Sequence, residues 1–236
     1  MKCFLTSSPM LPYTEALNPA NGFVERLRAC MPGIRHAVFV SADPDDPART
    51  ERIAASTERC FAASGFFFGR FSILDGRNPG QAAALIGGAD FVILGGGHVP
   101  TQNRFFQKIG LKEVLRGYDG VVLGISAGSM NAAEVVYAQP ERPGEAVDPA
   151  FRRFLPGLGL TQKMLIPHYQ MVKNDVLDGL RVMEDVAYPD SAGRRFYVLV
   201  DGSYLFIDNG KEEIFGEAYL LADGELTRLA AHGSSL

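Results

Sequence analysis

A serine framed by glycines carries the clearest chemical signal in the chain, in the string Gly124-Ile125-Ser126-Ala127-Gly128. The apolar run Val121-Val122-Leu123 before it is too short for a helix, and a fresh helical pattern starts near Met130. Strand, sharp turn and helix in that order force Ser126 to the strand tip with its hydroxyl pointing outward. The neighbours must be small, because larger side chains would collide with the adjoining strand and helix. A serine hydroxyl is a weak nucleophile until a base takes its proton, so the string has chemical meaning only with a histidine and a carboxylate elsewhere. Without them it is a strand-to-helix turn with a capping serine.

The chain has four histidines. His36 opens a strand, the wrong end for such chemistry, and His232 lies in a tail of small residues. His98 adjoins Gly95-Gly96-Gly97. His168 follows Met164-Leu165-Ile166-Pro167, so a strand end and a proline give it a fixed place at the active edge. Position selects His168 as base. The acid that would hold its tautomer and stabilise its cation is Asp201, just beyond the β-prone run Phe196-Tyr197-Val198-Leu199-Val200. An aspartate before a glycine also suits an ordinary turn. The three glycines at 95–97 end another apolar strand and leave bare amides open to a ligand, as an anion or oxyanion site or as a plain flexible loop.

The elements that would position these groups alternate. Strands are expected at residues 2–5, 37–40, 67–73, 89–94 and 121–125, with helices between them: one from Phe23 through Leu27 and Cys30, then 47–63 stopped by Gly65, 79–86, and 101–115 despite Gly110. Such alternation argues a mostly parallel sheet with helices on both faces, where ligands gather beyond the carboxyl ends of the strands. The triglycine loop and Ser126 fall at such ends on consecutive strands. Residues 139–149 read as a surface excursion, Gly157-Leu158-Gly159-Leu160 as a loop, and 172–186 as a helix bearing Val176, Leu180 and Met183. Turns at Asp208-Asn209-Gly210 and Asp223-Gly224 divide a C-terminal set of antiparallel strands.

A length of 236 residues fits one α/β domain over 1–236. The net charge of −4, from 23 basic and 27 acidic residues with no long block of either sign, argues against nucleic acid and against a polybasic membrane surface. No apolar run approaches bilayer length and the N-terminus has no leader pattern, so a cytoplasmic protein is expected. The three cysteines, Cys3, Cys30 and Cys60, form no Cys-x-x-Cys pair and read as buried thiols rather than disulfides or a metal site.

Taken in order, Gly95-Gly96-Gly97, Gly124-Ile125-Ser126-Ala127-Gly128, Ile166-Pro167-His168-Tyr169 and Val200-Asp201-Gly202-Ser203 resemble the serine peptidase family of aspartyl dipeptidase (peptidase E) and cyanophycinase. The resemblance runs from Leu5-Thr6-Ser7-Ser8 to the Asn209-Gly210 turn. It implies a flavodoxin-like three-layer sandwich of the class I glutamine amidotransferase type, extended by a C-terminal antiparallel hairpin. It also implies Ser126 as nucleophile, His168 as base, Asp201 as orienting acid, and amides of Gly96 or Gly97 and Ala127 for the oxyanion. His98, where the family often has asparagine, and Tyr169 are further candidate substrate contacts. Asp201 stands where aspartyl dipeptidase has glutamate, and Tyr169-Gln170-Met171-Val172-Lys173 replaces an arginine-bearing segment.

The activity so implied is a serine exopeptidase for dipeptides or short peptides, aspartyl dipeptides among them, with no metal or cofactor, in a monomer or homodimer. An esterase of the α/β-hydrolase type would use the order Ser126, Asp201, His232. A non-catalytic small-ligand domain would keep the sheet and use Ser126 only as a hydrogen-bonding group.

Overall fold

Five β-prone runs build the centre of the protein: β1 Lys2–Thr6, β2 His36–Val40, β3 Arg70–Leu74, β4 Phe91–Leu94 and β5 Val121–Ile125. The structure is a computed structural model that describes residues 1–33, 35–229 and 234–235. The five strands lie parallel in the order β3-β2-β4-β5-β1. Strands β2, β4 and β5 are buried nearly throughout, which is why they read as continuous apolar runs without a polar alternation.

Helices cover both faces. Phe4, Phe39, Ile93 and Leu123 on one face pack against Phe23 and Leu27 of α1 (Phe23–Cys30) and Phe61 of α2 (Pro47–Ala63). Cys3, Leu5, Val38, Val92 and Leu94 on the other meet α3 (Ala82–Gly87), α4 (Val99–Lys108) and α5 (Leu111–Arg116) through Ile86, Phe105, Phe106 and Leu115. Truncating one such residue, Leu123, to alanine would cost about 2–5 kcal/mol. Helix α2 has the bounds its sequence signals require: Asp46 caps it by accepting from the Arg49 N–H at 2.9 Å, and Pro47 fills the first helical position.

The later strands divide between sheets. A short helix, α6 (Ala127–Asn131), follows β5, and β6 (Val135–Tyr137) pairs with β7 (Phe154–Pro156). Strand β8 (Met164–Ile166) leads through α7 (Tyr169–Val172) into the ribbon β9 (Val176–Leu177) and β10 (Leu180–Arg181). A π-helical turn (Val182–Ala187) and α8 (Tyr188–Asp190) then reach β11 (Arg195–Leu199). Strands β12 (Tyr204–Asp208), β13 (Lys211–Phe215), β14 (Ala218–Ala222), β15 (Glu225–Arg228) and β16 (Ser234–Ser235) complete the described chain. Strand β12 joins β1 antiparallel and, with β13 and β16, widens the main sheet to eight strands. Strand β11 instead lies parallel to β8 in a second, four-stranded sheet with β14 and β15. Leu165, Tyr197 and Leu199 of that sheet pack into the same core as α3 to α5.

Two expected helices are cut by turns. The span 172–186 is not one helix: Asp178 (φ +53°) and Gly179 (φ +81°) make a two-residue hairpin turn between β9 and β10. Both positions need φ > 0, which Asp-Gly supplies, and the helical spacing of Val176, Leu180 and Met183 is coincidental. The Asp178 carboxylate also accepts from the N–H groups of Gly144 and Ala146, tying the hairpin tip to the neighbouring excursion. The span 101–115 breaks at Gly110 (φ +61°), where α4 ends and α5 begins. The elbow helix starts at Ala127 rather than near Met130. The excursion at 139–149 begins buried, at Gln139 and Pro140, before it reaches the surface. The C-terminal hairpins turn where expected, at Asn209-Gly210 (φ +50°, +79°) and Asp223-Gly224 (φ +50°, +78°). No described helix is long and apolar enough to cross a membrane.

Candidate active site

Strand β5 delivers Ser126 into a strained backbone conformation, φ +50° and ψ −110°, at the junction with α6. The turn is that tight because two glycines let elements touch. A Cβ on Gly128 would lie 2.2 Å from the Leu94 carbonyl oxygen of β4, and one on Gly124 would lie 2.8 Å from the Ser129 backbone nitrogen of α6. Neither obstacle is a flexible side-chain tip. Gly128→Ala is therefore expected to destabilise the protein by about 2–3 kcal/mol, read as a lower midpoint in urea unfolding.

The Ser126 Oγ stands 2.9 Å from His168 Nε2, and His168 Nδ1 stands 2.7 Å from Asp201 Oδ1. The two sheets meet to make this contact. Ser126 follows β5 of the main sheet, while His168 and Asp201 follow the parallel neighbours β8 and β11 of the second. All three lie beyond carboxyl ends of strands. Asp201 sits in the segment 200–203, where the chain crosses from the second sheet to the first. There Gly202 N–H donates to the Ser8 carbonyl at 3.1 Å and Ser7 N–H to the Ser203 carbonyl at 3.1 Å.

Two residues with no role assigned from sequence complete this network. The Ser7 hydroxyl, just past β1, donates to Asp201 Oδ1 at 2.6 Å and accepts the His168 backbone N–H at 2.7 Å. That second bond fixes a histidine whose φ of +58° is unusual for a residue with a side chain. Gln170 donates its amide to Asp201 Oδ2 and accepts the Asp201 backbone N–H at 3.1 Å. The signal for Ser7 was its place: a small polar residue at the carboxyl end of the strand next to the one bearing Ser126. Gln170 lies two residues after the histidine, and only the turn geometry of α7 brings it back. Burial alone would raise the Asp201 carboxyl, but hydrogen bonds from His168, Ser7 and Gln170 outweigh it and hold its pKa below the usual carboxylate value.

Beside Ser126 lie the free amides of the oxyanion candidates. The N–H groups of Gly96, Gly97 and Ala127 donate to no acceptor among the described residues. Gly96 is close enough that a Cβ on it would sit 3.6 Å from the Ser126 Cβ, and Gly97 has room for none, because Ala42 Cβ would be 2.8 Å away. His98 and Tyr169 occupy different settings. His98 binds Thr101 Oγ1 through Nδ1 and Glu145 Oε1 through Nε2, both at 2.8 Å, so its ring ties the excursion to the start of α4. Burial pulls its pKa down against the opposing charge of Glu145. The Tyr169 ring packs on Tyr219, with ring centres 4.8 Å apart, and is not among the residues lining the cleft. His36 bonds Gly88 O and Ser72 Oγ, each at 2.9 Å, at the amino ends of the strands, and His232 lies outside the described residues.

Ser126 forms part of the wall between two lobes of one cleft. A polar lobe of about 360 Å³ is lined by Ser41, Asp43, Arg49, Thr50, Gly96 and Arg142 among others. A more apolar lobe of about 380 Å³ is lined mainly by Met130, Pro140, Met171, Val176, Leu177 and Val182, together with the polar groups of His168, Gln139 and Asp175. Among the described residues no group of three or more His, Cys, Asp or Glu side chains is arranged to hold a metal ion.

The model of peptidase family S51 matches residues 47–215, a span that includes the glycine loop, Ser126, His168 and Asp201. The chain belongs to peptidase family S51. As a member of S51 it is a serine peptidase, a hydrolase. Its fold is similar to that of a peptidase from an acI-B1 Actinobacterium, at 17% identity and a TM-score of 0.66, covering 100% of this chain and 96% of the other. It is also similar to a candidate peptidase E protein from Listeria monocytogenes EGD-e, at 14% identity and a TM-score of 0.58, covering 97% and 98% of the two chains. At these identities the two structures show a shared fold. No curated protein sequence matches the chain.

Proposed function

We propose that this S51 peptidase is an exopeptidase of dipeptides or short peptides that works through Ser126, His168 and Asp201. The observation that carries the reading is the unbroken hydrogen-bonded chain from Ser126 Oγ to His168 to Asp201, at 2.9 and 2.7 Å. Ser126 Oγ attacks the peptide carbonyl carbon while His168 Nε2 takes its proton. The amides of Gly96 or Gly97 and of Ala127 receive the developing oxyanion, where each donor is worth about 3 kcal/mol of barrier. His168 then gives the proton to the leaving amine, and water activated by the same histidine frees the acyl group.

The orientation of the substrate follows from that proton transfer. His168 lines the apolar lobe and not the polar one, so the leaving amino acid lies among Met171, Val176 and Leu177. The acyl residue then fills the polar lobe, where Arg49 and Arg142 supply cations suited to an acidic side chain such as aspartate.

A dipeptide library read by mass spectrometry tests this. Fastest cleavage is expected for a polar or acidic first residue followed by a large apolar second one. Leu177→Asp is expected to lower kcat/KM for a second-position leucine by about 10–100-fold. Hydrolysis of simple esters with no dipeptide cleaved would sink the peptidase assignment of this triad, and a preference for charged second residues would reverse the orientation.

A further inference from the structure

Three carboxylates outside the triad line the cleft: Asp43 in the polar lobe, Asp175 in the apolar one, and Glu141 in both. Glu141, Gly97 and Ser126 are the residues that line both lobes, so Glu141 stands at the wall the lobes share, beside the nucleophile. The loop that carries it is anchored. The N–H groups of Glu141 and Arg142 donate to Glu145 Oε2 at 2.9 and 3.0 Å, and the other oxygen of Glu145 is held by His98 at 2.8 Å. Asp178 ties down Gly144 and Ala146 just beyond. Yet the Glu141 carboxylate itself makes no hydrogen bond or ion pair among the described residues, whereas Asp43, the other acid lining the polar lobe, lies 3.4 Å from Arg49. Glu141 keeps open surface towards the cleft, but protein crowds it closely enough that burial, with a further push from Glu145, raises its pKa to about 7. A carboxylate on an anchored loop, with no partner among the described residues, has most to gain from an incoming cation.

The position identifies the cation. In an N-terminal residue the α-nitrogen is attached to the carbon next to the scissile carbonyl, so its binding group must stand at the shared wall and not at the far end of either lobe. We propose that Glu141 binds the α-ammonium of the substrate's first residue and so confines cleavage to the first peptide bond. An internal residue presents a neutral amide at that point, which leaves the carboxylate uncompensated. This inference rests on the exopeptidase reading above and makes it specific to free amino termini.

The test compares one good dipeptide with its N-acetyl derivative, which has the same leaving residue. Wild type is expected to favour the free amine in kcat/KM by about 100-fold or more, and Glu141→Gln to lose about 10–100-fold of that preference through a higher KM. Glu141→Asp should retain part of it, since the charge remains. Glu141→Gln removes no contact seen within the protein, and an unchanged unfolding midpoint would verify that its fold is kept. A preference unaltered in Glu141→Gln, or one that collapses in Asp43→Asn instead, would overturn the assignment. Wild type cleaving both substrates equally would also overturn it while leaving the serine peptidase chemistry intact. Cleavage of neither would remove the exopeptidase reading and this inference together.

Discussion

Ser126→Ala is expected to lower kcat for peptide hydrolysis by a factor on the order of 10⁴ to 10⁶. The hydroxyl is the group positioned to attack: its oxygen is 2.9 Å from His168 Nε2, and it is flanked by the amides of Gly96, Gly97 and Ala127, which donate to no acceptor among the described residues. Removing it leaves the cleft, the amides and both lobes in place, so substrate should still bind and KM should change little. Alanine must adopt the same φ of +50°, a strained state that costs on the order of 1–3 kcal/mol for serine as well, so the unfolding midpoint should stay near that of wild type. Intact-mass measurement after fluorophosphonate treatment reads the same chemistry without a substrate. Wild type should gain one adduct, Ser126→Ala none, and His168→Ala should label far more slowly. An adduct that persists in Ser126→Ala, or undiminished turnover, would move the nucleophile elsewhere.

How much of this site could be read from sequence depends on whether its parts announce themselves locally. The elbow did so, because Gly124 and Gly128 are demanded by contacts one strand away, at Leu94, and one helical turn away, at Ser129. His168 and Asp201 stand out as candidates in the sequence because each directly follows a β-prone run, even though the pairing of β8 with β11 in a separate sheet is not visible there. That division is a long-range choice: β11 and β12 are separated only by the segment 200–203, and nothing in their composition tells which sheet each will join. Ser7 and Gln170 escaped for the same reason, since they matter through partners up to 194 residues away. The missed ribbon at 176–181 is different. Its Asp178-Gly179 pair is a local turn signal, but the chance helical spacing of Val176, Leu180 and Met183 points to a helix instead. That ribbon supplies Val176 and Leu177 to the apolar lobe and, through Asp178, holds the loop bearing Glu141, so it shapes the cleft.

Asp201→Asn should lower kcat by about 10³ to 10⁴ with little change in KM. The carboxylate accepts three side-chain hydrogen bonds, from His168 Nδ1, Ser7 and Gln170, and it lines neither lobe, so its effect must travel through the histidine. An asparagine at that place can offer its amide hydrogens to Nδ1. The imidazole would then carry its proton on Nε2, facing Ser126, and could not accept the proton of the hydroxyl. The wild-type carboxyl sits below its ordinary value of 3.8, so the stability it contributes is fully present above that pH and is lost as pH falls through its lower folded value. Above about pH 5 the group is therefore ionised, and its own titration should add no step to the pH profile of wild-type activity there. Ser7→Ala removes one donor to Asp201 and the acceptor of the His168 N–H together, and about a tenfold loss in kcat is expected from the looser imidazole. Steady-state kinetics across pH, with the unfolding midpoint of each variant, separates these effects from simple loss of fold. If Asp201→Asn kept wild-type kcat while its midpoint dropped, Asp201 would be a tie between the crossing segment and β1, and the orienting acid of His168 would have to be sought elsewhere.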